Sequence, residues 1–387
     1  MRLPRLARDL RSLLGALSLI LLSAAAAAGA APMETSAKQA YIVDFETGSV
    51  LLDKNSDQLM APSSMSKLMT VYMVFERLKE GTLSLDDQFT VSERAWRTGG
   101  SKMFVPLNGR VKVEDLLRGI IIQSGNDACV VVAEGLAQSE EAFSAEMTKK
   151  ATKIGLQHST LRNATGLPAP DHLMTARDLA ILAKRIIADF PQYYPIFKEL
   201  NFTYNNIKQG NRNPLLYQPA TGGDGLKTGH TEGAGYGLTA SAIRDGRRLI
   251  MVLNGMESMK IRTQESERLI DWAFRDFENV RLFDGGEVVT TAEVWLGGQP
   301  SVSLVAEKRI LATLPRTAIK DIKVAAVFDG PVPAPIRKGE RIATLTINAP
   351  GIPATQVPLV AGEDVDRLGF VGRLFAAAKH ILWGFAN

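Results

Sequence analysis

Three short stretches of the 387-residue chain bring together residue types that could carry out acyl transfer. In "PSSMSKLMT" (62–70), Ser64 and Lys67 stand three apart where an apolar, helix-period run begins. A serine hydroxyl is a poor nucleophile until a base takes its proton, and a lysine is such a base only when its ammonium is destabilised. Helical spacing of three places the two side chains about 5–6 Å apart at Cβ. In the first turn, free N–H groups and the positive helix end favour an oxyanion and disfavour an ammonium. Burial acts in the same direction. An ordinary alternative stands beside this one: Ser63 or Ser64 caps the helix and Lys67 is solvated. Ser-x-x-Lys occurs once in the chain.

Two further fragments add weight. "IIQSGND" places Ser124, Gly125 and Asn126 in a break of an apolar run, where a second hydroxyl and a carboxamide could relay a proton and hold an amide. "GGDGLKTGHTEGAGYG" places Lys227, Thr228 and Gly229 just before an apolar strand. There lysine supplies positive potential and threonine a carboxylate-binding hydroxyl, and glycine lets a peptide lie against the strand. Each fragment alone is also compatible with a plain turn. "WRTGGS" holds the similar Arg97-Thr98-Gly99, but it precedes Ser124 and has no strand attached, so it is set aside.

These groups need a scaffold. Hairpins are expected at "AYIVDFETGSVLLDKN" and, around Asp245-Gly246, at "YGLTASAIRDGRRLIMVLNGM". Apolar periodicity predicts helices at 65–80, 113–122, 127–137, 141–154, 175–188 and 264–278. Thr175 followed by Asp178 has the capping-box pattern. After Arg281 the sequence turns to short Val- and Thr-rich segments, such as "EVVTTAEVWL" and "ERIATLTINAP", which predict a small all-β domain. From 363 to 387 Leu368, Phe370, Val371, Leu374 and Phe375 share one side of a helix and Arg373, Lys379 and His380 the other. With Trp383 as an interfacial residue, this helix is expected to lie in a membrane surface. Packing onto the β domain is the alternative.

Residues 1–30, with four arginines before an apolar stretch and then small residues, predict a secretory signal peptide cut after Ala30. The assignment is therefore 1–30 signal peptide, 31–280 catalytic domain, 281–362 β domain and 363–387 amphipathic helix. Removing the leader lowers the formal charge from +4 to about +1, so the basic balance argues for no nucleic-acid partner. Cys129, the single cysteine, sits in "ACVVVA" and reads as a buried, inert thiol. The four histidines lack metal-ligand spacing, so neither a metal nor another cofactor is expected.

Ser-x-x-Lys, Ser-x-Asn and Lys-Thr-Gly in this order resemble the penicillin-binding proteins and serine β-lactamases. The finer resemblance is to the low-molecular-mass penicillin-binding proteins that are D-alanyl-D-alanine carboxypeptidases. "DGLKTGHT", "FTYNNIKQGNRNPLL", "NATGLPAPDH", "TARDLAILAKRI" and "KIRTQESERLIDWAF" carry it. It implies an α/β (α+β) DD-peptidase/β-lactamase-like transpeptidase fold, an antiparallel sheet flanked by a helical cluster, then a small all-β domain and a C-terminal amphipathic helix. It further implies that Ser64 is the acylated nucleophile and Lys67 its base, with Ser124 relaying a proton to the departing D-alanine. Asn126 would hold the substrate amide and Lys67, and Lys227 would supply field. Thr228, Thr231 and Arg262 would bind the terminal carboxylate, Gly229 would line the strand, and the N–H groups of Ser64 and His230 would form an oxyanion hole. Such a donor is typically worth ~3 kcal/mol. The implied substrate is the peptidoglycan pentapeptide, with β-lactams as covalent inhibitors and the periplasmic face of the inner membrane as location. A β-lactamase of the kind that deacylates through a glutamate is disfavoured, because no Glu-x-x-x-Asn lies between Asn126 and Lys227. A Ser-His-Asp triad is disfavoured by the lack of a Gly-x-Ser-x-Gly elbow.

Overall fold

The computed structural model describes residues 33–372. The leader expected at 1–30 and residues 373–387 of the expected tail helix lie outside the described residues. The part of that helix expected at 363–369 is not helical: Val365 and Arg367 bridge to Ile336 and Gly297, and helix starts only at Phe370.

Hairpin β1 (Gln39–Asp44) and β2 (Val50–Lys54) opens the chain. A 3₁₀ turn at Ser63–Ser66 leads into α1 (Lys67–Lys79). Next come β3 (Gln88–Thr90), α2 (Glu93–Arg97), β4 (Arg110–Lys112) and the helices α3 (Val113–Ile121), α4 (Asn126–Ala137), α5 (Glu140–Lys153) and α6 (Ala176–Asp189). A small hairpin, β5 (Asn201–Tyr204) and β6 (Ile207–Gly210), precedes β7 (Gly223–Thr231), β8 (Gly235–Arg244), β9 (Arg247–Met256) and α7 (Met259–Asp276).

The main sheet is antiparallel, in the order β2-β1-β9-β8-β7, which leaves β7 at an edge. β1, β7, β8 and β9 are almost continuously buried because both faces are covered, whereas the edge strand β2 is only partly buried. Ile42, Leu238, Ala240, Leu249 and Met251 pack with Leu269, Ile270 and Ala273 of α7. On the alternate positions Tyr41, Val43, Ile250 and Val252 join the core of the helical cluster with α1 and α3–α6. The period-2 alternation of a strand thus feeds two separate cores. At the tip of β8 and β9, Asp245 (φ 51°) and Gly246 (φ 79°) are both left-handed, as a two-residue hairpin turn requires.

Two sequence expectations shift. Helix α7 begins at Met259 rather than 264 and ends at Asp276 rather than 278, because Ser258 caps it by accepting a hydrogen bond from Ile261 N. Only half of the capping box at Thr175 forms. Thr175 Oγ1 accepts from Asp178 N, but the Asp178 carboxylate turns instead to His158 N and Ser159 Oγ.

Helix α7 runs into β10 (Phe277–Phe283) with no intervening loop. The expected boundary at residues 280 and 281 therefore falls inside a strand. Strands β11 (Val288–Trp295), β12 (Ser301–Ala306), β13 (Ile310–Pro315), β14 (Lys323–Val327), β15 (Val332–Pro333), β16 (Arg341–Asn348) and β17 (Thr355–Ala361) follow. β10 pairs with β13, and the others form a sheet in the order β14-β16-β17-β12-β11-β15. Alternate residues such as Val302, Leu304, Leu345, Ile347 and Leu359 fill its core. Thr47 Oγ1 and Thr313 Oγ1, 2.5 Å apart, join the two parts of the chain.

Candidate active site

Ser64 lies in the 3₁₀ turn that precedes α1, and Lys67 is the first residue of the α-helix. In such a turn side chains three apart eclipse, and Lys67 Nζ comes to 3.0 Å from Ser64 Oγ. Neither ordinary alternative holds. The start of the helix has no side-chain cap, and Lys67 has no exposed surface.

The surroundings of Lys67 decide its state. Its amine lies 2.7 Å from Asn126 Oδ1 and also meets the carbonyl oxygen of Thr165. The Asn126 orientation is fixed from its other end, since Nδ2 donates to Gly99 O at 2.8 Å. Two of the three neighbours of Lys67 can therefore only accept, and the Ser64 hydroxyl alone can donate. A neutral amine satisfies all three by giving its two hydrogens to the carbonyls and turning its lone pair on Ser64. Burial brings the Lys67 ammonium down to about 8; Arg212 adds to this, while Asp127 and Glu140 oppose it. A general base with that value is available near neutral pH.

The Thr165 carbonyl is aimed by local turn chemistry. Asn163 Oδ1 accepts from Thr165 N, Thr165 Oγ1 and Gly166 N at 2.7–3.1 Å. Gly166 follows at φ +76°, and a Cβ there would stand 2.0 Å from Ser63 O. Only glycine allows this turn to seat against the one bearing Ser64.

Ser124 (φ 61°) occupies the connection between α3 and α4 and is 1% exposed. Lys227 Nζ donates to its Oγ at 2.9 Å and to Thr228 O at 3.1 Å. Burial, and after it the Lys67 charge, holds Lys227 well below the ordinary lysine range. Lys67–Asn126 thus joins two helices of the cluster, and Lys227–Ser124 joins the edge strand β7 to the cluster.

Gly229 faces the turn that bears Ser64. A Cβ there would meet Pro62 O at 3.0 Å, Met65 Cγ at 3.1 Å and Ser63 Cβ at 3.2 Å. Its bare face meets the Ser64 turn, so the glycine lets β7 pack closely against that turn. Thr231 Oγ1, 3.1 Å from Ser63 Oγ, ties the same two elements together.

Arg262 lies in the first turn of α7, not in a loop, and is 4% exposed. Among the described residues it forms no salt bridge with a carboxylate. Nη2 donates to Arg212 O at 3.3 Å, Nε is buried without a partner, and the guanidinium lies 5.9 Å from the Tyr236 ring. Burial lowers it to about 10. The Tyr236 ring also stacks with His230, centroids 3.9 Å apart, and His230 is itself exposed. A buried guanidinium with unused donors favours an incoming carboxylate.

Several contributors escaped the sequence reading. "WRTGGS", set aside there, forms part of the cleft wall: Gly99 O holds Asn126, and Asn126 N donates to Ser101 O at 2.7 Å. Asp127 accepts from the N–H groups of Met103, Phe104 and Val105, pinning that wall. Arg212 reaches across to Ser101 Oγ at 2.8 Å. Most of these contacts run through backbone atoms, which leave no residue-type signal; the carboxylate of Asp127, next to Asn126, was the one that could have been flagged. Cys129 is buried, and burial pushes its thiol up to about 12, consistent with an inert core residue.

A serine addressed by a buried lysine, a second serine–lysine pair and an edge strand define a serine acyltransferase site. The family model of the D-alanyl-D-alanine carboxypeptidases matches residues 25–258, and that of the penicillin-binding protein 5 C-terminal domain matches 277–367. The chain belongs to the D-alanyl-D-alanine carboxypeptidase family. It is 40% identical over 351 residues to the D-alanyl-D-alanine carboxypeptidase DacC of Escherichia coli, covering 88% of each chain. Among solved structures it is similar to penicillin-binding protein 5 from Haemophilus influenzae (TM-score 0.81, 36% identity, 88% of this chain and 100% of that one). It also matches penicillin-binding protein D2 from Listeria monocytogenes in the ampicillin-bound form (TM-score 0.58, 28% identity, 63% of this chain and 99% of that one).

Proposed function

We propose that the protein removes the terminal D-alanine from peptidoglycan pentapeptides through an acyl-enzyme on Ser64. Neutral Lys67 takes the Ser64 proton as Oγ attacks the penultimate D-alanine carbonyl carbon. The N–H groups of Ser64 and His230 receive the resulting oxyanion. As the C–N bond breaks, the proton held by Lys67 is relayed through Ser124 to the leaving D-alanine nitrogen, which returns Lys67 to its neutral form, while Lys227 supplies field beside Ser124. Water then attacks the ester carbonyl, neutral Lys67 takes its proton, and that proton returns to Ser64 Oγ as the ester bond breaks. Thr228, Thr231 and Arg262 hold the terminal carboxylate, and Asn126 the substrate amide. No step calls for a cofactor. A β-lactam enters by the same attack and leaves slowly, because ring opening does not expel a leaving group that could diffuse away.

The observation that supports this most directly is the buried Lys67 amine, its one donor neighbour being the Ser64 hydroxyl 3.0 Å away. Intact-mass measurement with a penicillin should find one adduct on the wild type and none on Ser64→Ala. An adduct retained by that variant would overturn the assignment. Release of D-alanine from a synthetic pentapeptide separates a working enzyme from an inactive wall-binding protein. We also propose export and attachment to the outer face of the inner membrane through residues 363–387; sedimentation with anionic vesicles, with and without that segment, tests it.

A further inference from the structure

The segment first set aside as a false Lys-Thr-Gly match presents chemistry that the acyl-transfer steps do not use. Trp96 lies in the short helix α2, one residue from its end, and is 43% exposed, although its neighbour Ala95 is wholly buried. Lys102 folds back beside it: Nζ donates to Trp96 O at 2.5 Å and stands 6.0 Å from the ring centroid. One ammonium hydrogen is thereby used and two remain. The loop between them is held in place. Gly99 O and Ser101 O each take a hydrogen bond from Asn126, Gln209 Nε2 donates to Lys102 O at 2.9 Å, and Asp127 binds the next three N–H groups. An exposed indole and a cation are therefore mounted on a fixed wall of the cleft.

We infer that Trp96 and Lys102 form a subsite for the glycan end of the substrate. The indole face would stack on the apolar C–H face of the N-acetylated sugar that bears the stem peptide, and Lys102 would meet a stem carboxylate. The inference rests on the carboxypeptidase reading of the same site. Reach supports it. Four stem residues separate the attacked carbonyl from the sugar, about 14 Å when extended. Trp96 lies three residues from Gly99, so at most about 11 Å from it along the chain, and Gly99 touches the residue that holds Lys67. The electron-rich indole face favours the slightly positive C–H groups of a pyranose, and the exposed rim of a cleft is where a polymer must leave it.

The test compares disaccharide-pentapeptide with the free pentapeptide as substrates for the wild type, Trp96→Ala and Trp96→Phe. The wild type is expected to show a KM about tenfold lower for the disaccharide form. Trp96→Ala should lose that preference while its free-pentapeptide kcat/KM and its penicillin acylation rate stay as in the wild type, and Trp96→Phe should keep most of it. Equal KM values for the two substrates in the wild type, or a preference that survives in Trp96→Ala, would overturn the inference and leave the carboxypeptidase assignment intact. A wild type that releases D-alanine from neither substrate would instead defeat the parent reading. Unchanged penicillin acylation in Trp96→Ala shows that the variant is folded.

Discussion

If Lys67 is the base, acylation must follow the ionisation of its amine. With a value of about 8, roughly one molecule in ten carries the neutral amine at pH 7. At the ordinary lysine value of 10.5 it would be about one in 3,000, so burial raises the competent population roughly 300-fold. Only the neutral form has a lone pair for the Ser64 proton. The acylation rate constant should therefore climb about tenfold per pH unit below 8 and level off above it. Stopped-flow acylation by a chromogenic cephalosporin between pH 6 and 10 measures this directly. Arg212→Gln removes a cation that helps depress Lys67, so its profile should shift to higher pH. A midpoint at or above 10, or a profile flat across the range, would refute the reasoning.

Three further outcomes follow from the packing. Burial lowers His172 to about 4 from 6.5, so between those values the unfolded chain binds the extra proton and stability falls as pH falls. The loss from pH 7 to pH 4 should be roughly 3 kcal/mol by denaturant titration, and His172→Gln should flatten it. Gly229→Ala, whose Cβ would press on Pro62 O, should push β7 off the Ser64 turn and slow penicillin acylation at least about tenfold, with far-UV circular dichroism unchanged. Asp127→Ala strands the N–H groups of Met103, Phe104 and Val105 and should cost about 2–3 kcal/mol in urea unfolding.

The parts of the site that could be read in advance are those written in side chains at short range. Ser64 and Lys67 are three residues apart, and the turn that holds them needs no distant information. The strands were legible because alternation and the Asp245-Gly246 turn are local. What could not be read is carried by backbone or arrives through space. The carbonyls of Thr165, Gly99 and Ser101 have no residue-type signature. Gly229 allows close approach of a turn more than 160 residues away in the chain, which no local pattern announces. The helix expected at 264–278 leaves Arg262 outside it because the apolar period of α7 starts late, although Ser258 offers a cap that places the helix earlier.

The direct passage from α7 into β10 has a mechanical consequence. Eighteen residues make a rod about 27 Å long, with Arg262 near one end and the all-β portion joined to the other by a single peptide bond. A joint without slack transmits torque. Any load that tips the β portion therefore levers the cationic wall of the cleft, so a tether at the far end of the chain would be felt where the substrate carboxylate docks.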